Sequence, residues 1–275
     1  MPGAVDALYE IRPCRGIEEL EACIRLQKAI WGYAEGEVYP LRLFVNLTHI
    51  GGQVMGAFAR GGARAKRGTG ARRRPFKSGE MVGFVAAMPA WRNGKRYLHS
   101  LSLGVLPGHE NQGVGRRLKL EQRRLALEAG IQRIEWTFDP LRAKNAFFNI
   151  MRLGAIARRY QPDYYGPVRS RLQQGLPSDR LVCEWWLRSP WVRCAIASRP
   201  GNGRPRPSPK NRTAVKITIP ADFGALVRQH PERARRLQHS VRGKFEACFR
   251  RDLAVTGFER DSKVGRYLLE PFYEN

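Results

Sequence analysis

The run HENQGVGRRLKLEQRRLALEAG, His109 to Gly130, constrains this chain more than any other segment. Two glycines, Gly113 and Gly115, stand directly before a periodic stretch with Val114, Leu118, Leu125 and Ala129 on one stripe and Gly130 behind it. A period near 3.6 residues closed by a glycine defines a helix. Before it, YLHSLSLGVL (Tyr97 to Leu106) sets Leu98, Ser100, Ser102 and Gly104 against Tyr97, His99, Leu101, Leu103 and Val105. Such alternation defines a strand. After it, IQRIEWTF (Ile131 to Phe138) reads as a second strand, so the centre of the chain is a strand, glycine turn, helix and strand unit of α/β type.

A helix N-terminus presents unpaired N–H groups and about half a positive charge, which together attract phosphate. In Gln112-Gly113-Val114-Gly115-Arg116-Arg117 the missing Cβ atoms let a ligand approach the backbone, and two arginines add charge at the rim. A flexible helix opening satisfies the same residues. Two other phosphate motifs fail: Gly94-Lys95 and Gly243-Lys244 continue with Arg96 and Phe245 rather than Ser or Thr, and Leu118 stands where a dinucleotide fingerprint needs its third glycine.

On either side the element order is mixed. Ala7 to Arg12 reads as a strand, and Ile17 to Trp31 as a helix with Ile17, Leu20, Cys23, Ile24 and Ile30 as its apolar positions, broken by Gly32 and Pro40. QVMGAFA (Gln53 to Ala59) and MVGFVAAM (Met81 to Met88) are apolar strands of one hairpin, lengthened by a basic insert over 60–79. NAFFNIMRL (Asn145 to Leu153) is a helix ending at Gly154, with further strands near Ala155 to Tyr165 and Leu181 to Leu187. The composition predicts a domain over 1–190, a linker over 191–212 and a small β-α-β-β unit over 213–275. In that last unit Val215, Ile217 and Ile219 alternate with polar residues, a helix runs from Pro231 to about Asp252, and Ala254 to Phe258 pairs with Val264 to Leu269.

The run from Tyr97 to Gly154 resembles the core of the GCN5-related N-acetyltransferases (GNAT). That family places Gln/Arg-x-x-Gly-x-Gly/Ala between its fourth strand and third helix, and this chain offers Glu110-Asn111-Gln112-Gly113-Val114-Gly115. Both glycines and Gln112 match; Glu110 departs from the pattern. The wording of FDPLRAKNAFFNIMRLGA and RRYQPDYYG suggests a bacterial branch of predicted acetyltransferases. The resemblance implies an α/β (α+β) fold, a mixed and mostly antiparallel central sheet flanked by helices. It implies acetyl-CoA or another short acyl-CoA as co-substrate, no metal, and transfer of the acyl group to a primary amine of the acceptor by direct attack on the thioester.

Carried onto this sequence, the resemblance puts the pyrophosphate on Gln112, Gly113, Val114 and Gly115, with Arg116 and Arg117 beside it. Leu103, Gly104 and Val105 contact the cofactor through main chain, although a glycine within a strand also marks a simple bulge. Asn145 is a cofactor contact displaced by two positions from the family's asparagine, or a residue that opens its helix. The family's acid, a tyrosine four residues before a Gly-Phe pair, falls here on Ile150. Tyr160 and Tyr164, with Tyr165, are the nearby phenols, although paired tyrosines in a strand are more often packing residues; otherwise the thiolate leaves without a protein acid. For a base the candidates are His99, Glu135 and Asp139. Alternation sets Glu135, Thr137 and Asp139 on one strand face, where two carboxylates suit a base or the binding of a cationic acceptor; a solvated face or a helix cap at Asp139 is the competing account.

Charge supplies a different class of reading. The formal net charge is +25, with 39 arginines against 10 lysines, an imbalance that points to genomic composition as much as to a binding footprint. RGGARAKRGTGARRRPFK, Arg60 to Lys77, is a basic run that fits a solvated loop or a non-specific nucleic-acid tether. A catalytically degenerate basic adaptor of the same fold, binding nucleic acid or acyl-CoA, is therefore the alternative. The five cysteines, Cys14, Cys23, Cys183, Cys194 and Cys248, have no metal-ligand or CxxC spacing, so neither zinc nor a disulfide framework is expected. No apolar run approaches the roughly 20 residues of a bilayer span, and MPGAVDALYEIRPC has no basic leader, so a cytoplasmic protein without membrane attachment is expected.

Overall fold

The computed structural model describes residues 8–60, 79–166, 175–197 and 215–272. Nearly all of the basic insert and most of the expected linker thus lie outside the described residues. The protein is mixed α/β, with mostly antiparallel strands flanked by helices. It forms two compact units that part between Ile134 and Glu135.

The first unit contains β1 (Tyr9–Pro13), α1 (Gly16–Trp31), α2 (Leu41–His49), β2 (Gln53–Ala59), β3 (Met81–Arg92), β4 (Lys95–Val105) and α3 (Val114–Glu128). β1 to β4 form consecutive antiparallel pairs. β2 and β3 read as unbroken apolar runs because both of their faces are covered. On one face Leu20, Cys23 and Leu26 of α1 and Phe44 and Leu47 of α2 pack with Val54, Phe58, Phe84 and Ala86. On the other, Tyr9, Met55, Ala57, Val82 and Val85 pack with Val114 and Leu118 of α3. Removing a side chain such as Phe44, fully buried between these layers, costs about 3–5 kcal/mol. Gly32 ends α1 at φ 68°, its N–H returning to the Lys28 carbonyl. α2 was not expected: Pro40, taken as a breaker, instead stands at its N-cap, where a proline forgoes no intrahelical bond.

Two expectations about the central unit are corrected. In β4 the register shifts where Ala86 and Ala87 face Ser102 and Ser100, leaving Leu101 as an extra residue. The alternation therefore breaks. Leu101 packs with the α1 and α2 cluster, whereas Leu103 packs with the α3 cluster. In α3 the buried side is Val114, Leu118, Lys119, Gln122 and Ala126, with Leu125 half-buried and Ala129 exposed. Lys119 enters the interior because Gln122 Oε1 accepts from its Nζ at 2.5 Å and Ser100 Oγ lies 3.3 Å away. A buried cation is tolerated only with such partners.

In the second unit the strand order is β5 (Arg133–Phe138), β7 (Arg180–Trp186), β6 (Ile156–Gln161), β9 (Leu253–Arg260), β10 (Val264–Pro271) and β8 (Val215–Pro220). Ala157 of β6 pairs with Val255 of β9, so residues 215–272 continue the sheet of β5 to β7 and belong to the same compact unit. The helix expected over 145–153 is four α-helical residues, α4 (Ala143–Ala146), widened into a π turn over Phe147–Arg152. Gly154 is required after it: φ is 72°, and a Cβ would lie 3.0 Å from Ala195 Cβ and Val192 Cα. Those partners belong to α5 (Pro190–Ala197), a helix where the linker was expected to begin. The burial of Val192 explains it, since proline and arginine content does not register one buried valine. α6 (Phe223–Gln229), capped by Asp222, was also unexpected, and α7 (Pro231–Phe249) starts on its proline as expected.

Candidate functional site

In the first unit, β4 leads into the glycine turn through three residues in the left-handed region, Gly108 (φ 94°), Asn111 (φ 57°) and Gly113 (φ 83°). Gly113 is the N-cap of α3, makes no side-chain cap bond, and is followed by no acidic residue in the first turn. The N-terminus of α3 carries the positive end of the helix dipole, and Arg116 and Arg117 stand where that dipole disfavours cations. An anion at this end reverses that penalty. Gly113 needs its glycine for φ. Gly115 does not: its φ is ordinary, and a Cβ would meet only Val105 Cγ2 at 3.7 Å and Leu103 Cδ2 at 3.9 Å, normal contacts. The protein's own packing leaves that glycine unexplained.

Two residues assigned to the cofactor are turned inward. Gln112 Nε2 donates to the Gly108 carbonyl at 2.8 Å, and its Oε1 accepts from the Tyr9 hydroxyl at 3.2 Å. Arg117 donates to the Tyr9 carbonyl at 2.9 Å. Leu103, Gly104 and Val105 pair with Val85, Phe84 and Gly83 of β3. A Cβ on Gly104 would lie 2.7 Å from Ile30 Cδ1 and 2.9 Å from Trp31, so the close approach there is made by α1 side chains. His99 is half-buried opposite Met88.

In the second unit, Glu135 is almost fully buried and accepts from Arg159 at 2.8 Å. It is not on a solvated face. Arg159 also reaches Glu184 at 3.6 Å, and Arg158 reaches it at 2.7 Å. Consecutive arginines meet the same carboxylate because the β6 register shifts between Ala157 and Arg159. Sequence reasoning missed this cluster, since a bulge leaves no mark in residue types. Asp139 accepts from the Leu141 N–H at 2.8 Å and from Arg142 at 3.2 Å; it lies in the turn before α4, whose N-cap is Arg142. Asn145 is exposed on α4. Ile150, at the expected acid position, is buried packing.

The tyrosines separate in character. Tyr160 is buried, and its hydroxyl donates to Asp179 at 2.7 Å. Burial, and then the Asp179 carboxylate, push its pKa well above an ordinary phenol. Tyr164 and Tyr165 were expected in a strand but lie in the turn after β6, each more than two-fifths exposed, with rings edge-to-face at 4.7 Å. The Tyr165 hydroxyl lies 3.3 Å from Thr137 Oγ1 of β5. Among the described residues no cluster of three His, Cys, Asp or Glu could hold a metal, and no helix is long and apolar enough to cross a membrane.

A strand, a left-handed glycine turn and a helix in this order form a mixed α/β unit. Residues 69–151 match the family described as the acetyltransferase (GNAT) family. No curated protein sequence is matched. Similar solved structures include NAA60 of Arabidopsis thaliana in complex with acetyl-CoA, 15% identical over 65% of this chain and 99% of that one, with a TM-score of 0.48. Others are the ribosomal-protein-S18-alanine N-acetyltransferase of Escherichia coli (14% identity, 64% and 92% coverage, TM-score 0.45) and Ard1 of Thermoplasma volcanium (17%, 64% and 96%, TM-score 0.42).

Proposed function

We propose that this protein is an N-acyltransferase that moves a short acyl group, most simply acetyl, from acyl-CoA to a primary amine. The observation that carries the reading is Gly115: neither its φ nor its neighbours demand glycine, yet it lies in the first turn of a helix that opens on a glycine N-cap, beside Arg116. A ligand phosphate that needs close backbone approach accounts for it. Acyl-CoA supplies the acyl group already activated as a thioester. The N–H groups from Gly113 to Gly115 and the Arg116 guanidinium hold its diphosphate, and main-chain groups of Leu103 to Val105 that do not face β3 orient the pantetheine arm.

Deprotonating the amine falls to Glu135, whose carboxylate Arg159 orients; His99 is the other base considered. Tyr164, more than two-fifths exposed, serves better as the proton source for the departing thiolate than Tyr160, whose hydroxyl is buried against Asp179. Tyr160 is retained as a structural residue. Isothermal calorimetry with acetyl-CoA, CoA and desulfo-CoA tests the assignment. The wild type should bind all three, and Gly115→Leu should bind each at least roughly ten-fold more weakly while folding normally. Failure of the wild type to bind any of them sinks the proposal.

A further inference from the structure

The glycine turn is bent three times into the left-handed region within six residues, at Gly108, Asn111 and Gly113. Glycine and asparagine permit such a path but do not choose it, because they also permit many others. What selects it comes from the opposite end of the unit's sequence. Tyr9 of β1 is fully buried, and its hydroxyl lies 2.8 Å from His109 Nδ1 and 3.2 Å from Gln112 Oε1. The His109 ring meets the Tyr9 ring edge-on, with centroids 5.6 Å apart. A phenol has one hydrogen, so one direction satisfies the set: His109 Nδ1–H donates to Tyr9, Tyr9 to Gln112 Oε1, and Gln112 Nε2 to the Gly108 carbonyl at 2.8 Å. Arg117 closes the loop by donating from α3 to the Tyr9 carbonyl at 2.9 Å.

We propose that Tyr9, through His109 and Gln112, is the positioning residue that pre-forms the diphosphate-binding turn, so that the affinity of this enzyme for CoA is set from its first strand. The inference rests on the acyl-CoA reading above. Each turn residue that departs from an ordinary backbone has a neighbour tied to this hydroxyl: His109 and Gly108 on one side, Gln112 between Asn111 and Gly113 on the other. Ordering the turn before ligand arrives removes that cost from binding. Gln112, which occupies the position just before the glycines, thereby acts inward on the turn.

The test compares two ligands on the full chain by calorimetry: CoA, which carries the diphosphate, and S-acetylpantetheine, which lacks it. Tyr9→Phe keeps the buried ring and deletes the hydroxyl that links buried His109 to Gln112, so the CoA Kd should rise roughly ten-fold, the S-acetylpantetheine Kd remaining the same. Gln112→Met, which keeps the length and removes both polar atoms, should give the same split and serves if Tyr9→Phe does not fold. Equal weakening of both ligands would assign Tyr9 to general stability and overturn the proposal, as would an unchanged CoA Kd. If the wild type binds CoA tightly and Tyr9→Phe does so equally, only this inference falls. If the wild type does not bind CoA at all, the acyl-CoA reading falls with it.

Discussion

The Tyr160 hydroxyl and Arg242 share the carboxylate of Asp179, the phenol donating at 2.7 Å and the guanidinium at 3.0 and 2.6 Å. Asp179 also accepts the Asp163 N–H at 3.0 Å, which ties the turn carrying Tyr164 to α7. With its ring stacked on Phe245, Tyr160 is part of the core.

That arrangement separates two losses of stability. Tyr160→Phe should lower the unfolding free energy by about 1.5–3 kcal/mol, the worth of one hydrogen bond to a charged group. Arg242→Met should cost about 3–5 kcal/mol, because it strands a buried carboxylate. Urea denaturation reads both. Neither should abolish acyl transfer by the folded fraction; loss of activity at unchanged stability in Tyr160→Phe would restore the tyrosine as a proton donor.

Gly104 makes a second case. Its Cβ position lies 2.7 Å from Ile30 Cδ1, the end of a flexible side chain, and 2.9 Å from the less yielding Trp31 ring. Gly104→Ala is expected to destabilise by about 1–3 kcal/mol through overpacking, and Ile30→Ala in the same chain should recover part of it. Thermal melts of the two single variants and the double variant give the coupling. Purely additive losses would mean that α1 does not crowd this strand.

Apolar runs and breakers carried much of the first unit: the Leu20 and Cys23 spacing marks α1, QVMGAFA and MVGFVAAM mark a hairpin whose insert leaves the pairing intact, and the glycine turn sits before α3 as read. What escaped was whatever depends on a partner distant in sequence. The bulge at Leu101 reverses the faces of β4 without altering its alternating pattern. Lys119 is received inside by Ser100 and Gln122, and buried Glu135 meets Arg159, which follows a bulge in β6. Tyr9, one apolar letter in a short strand, gave no signal of its bonds to residues a hundred positions away.

His109 gives the pH prediction. Burial disfavours its imidazolium and lowers its pKa below the ordinary 6.5, against a smaller opposing pull from Glu80. The unfolded chain therefore binds the proton more readily than the folded one, and stability rises with pH across the interval between the two values. The contribution should be complete above about pH 6.5 and shrink as pH falls below it. Urea midpoints at pH 5.0 and 7.5 should show that drop in the wild type and a smaller one in His109→Asn. An identical drop in both would place the sensitivity elsewhere.

Glu135 and Arg159 allow catalysis and stability to be separated at one pair. The carboxylate is almost fully buried and receives the guanidinium at 2.8 Å. If Glu135 takes the amine proton, Glu135→Gln should lower kcat by roughly 100-fold or more, leave the KM for acyl-CoA in place, and remove the acidic limb of the pH–rate profile. Arg159→Met leaves Glu135 and Glu184 buried without one of their cations and should cost about 3–5 kcal/mol in a urea titration. Adding Glu135→Gln to Arg159→Met removes one of the stranded charges, so the double variant should be more stable than Arg159→Met alone. Turnover in Glu135→Gln close to wild type, with an intact acidic limb, would limit the pair to holding β5 and β6 in place and pass the proton to His99.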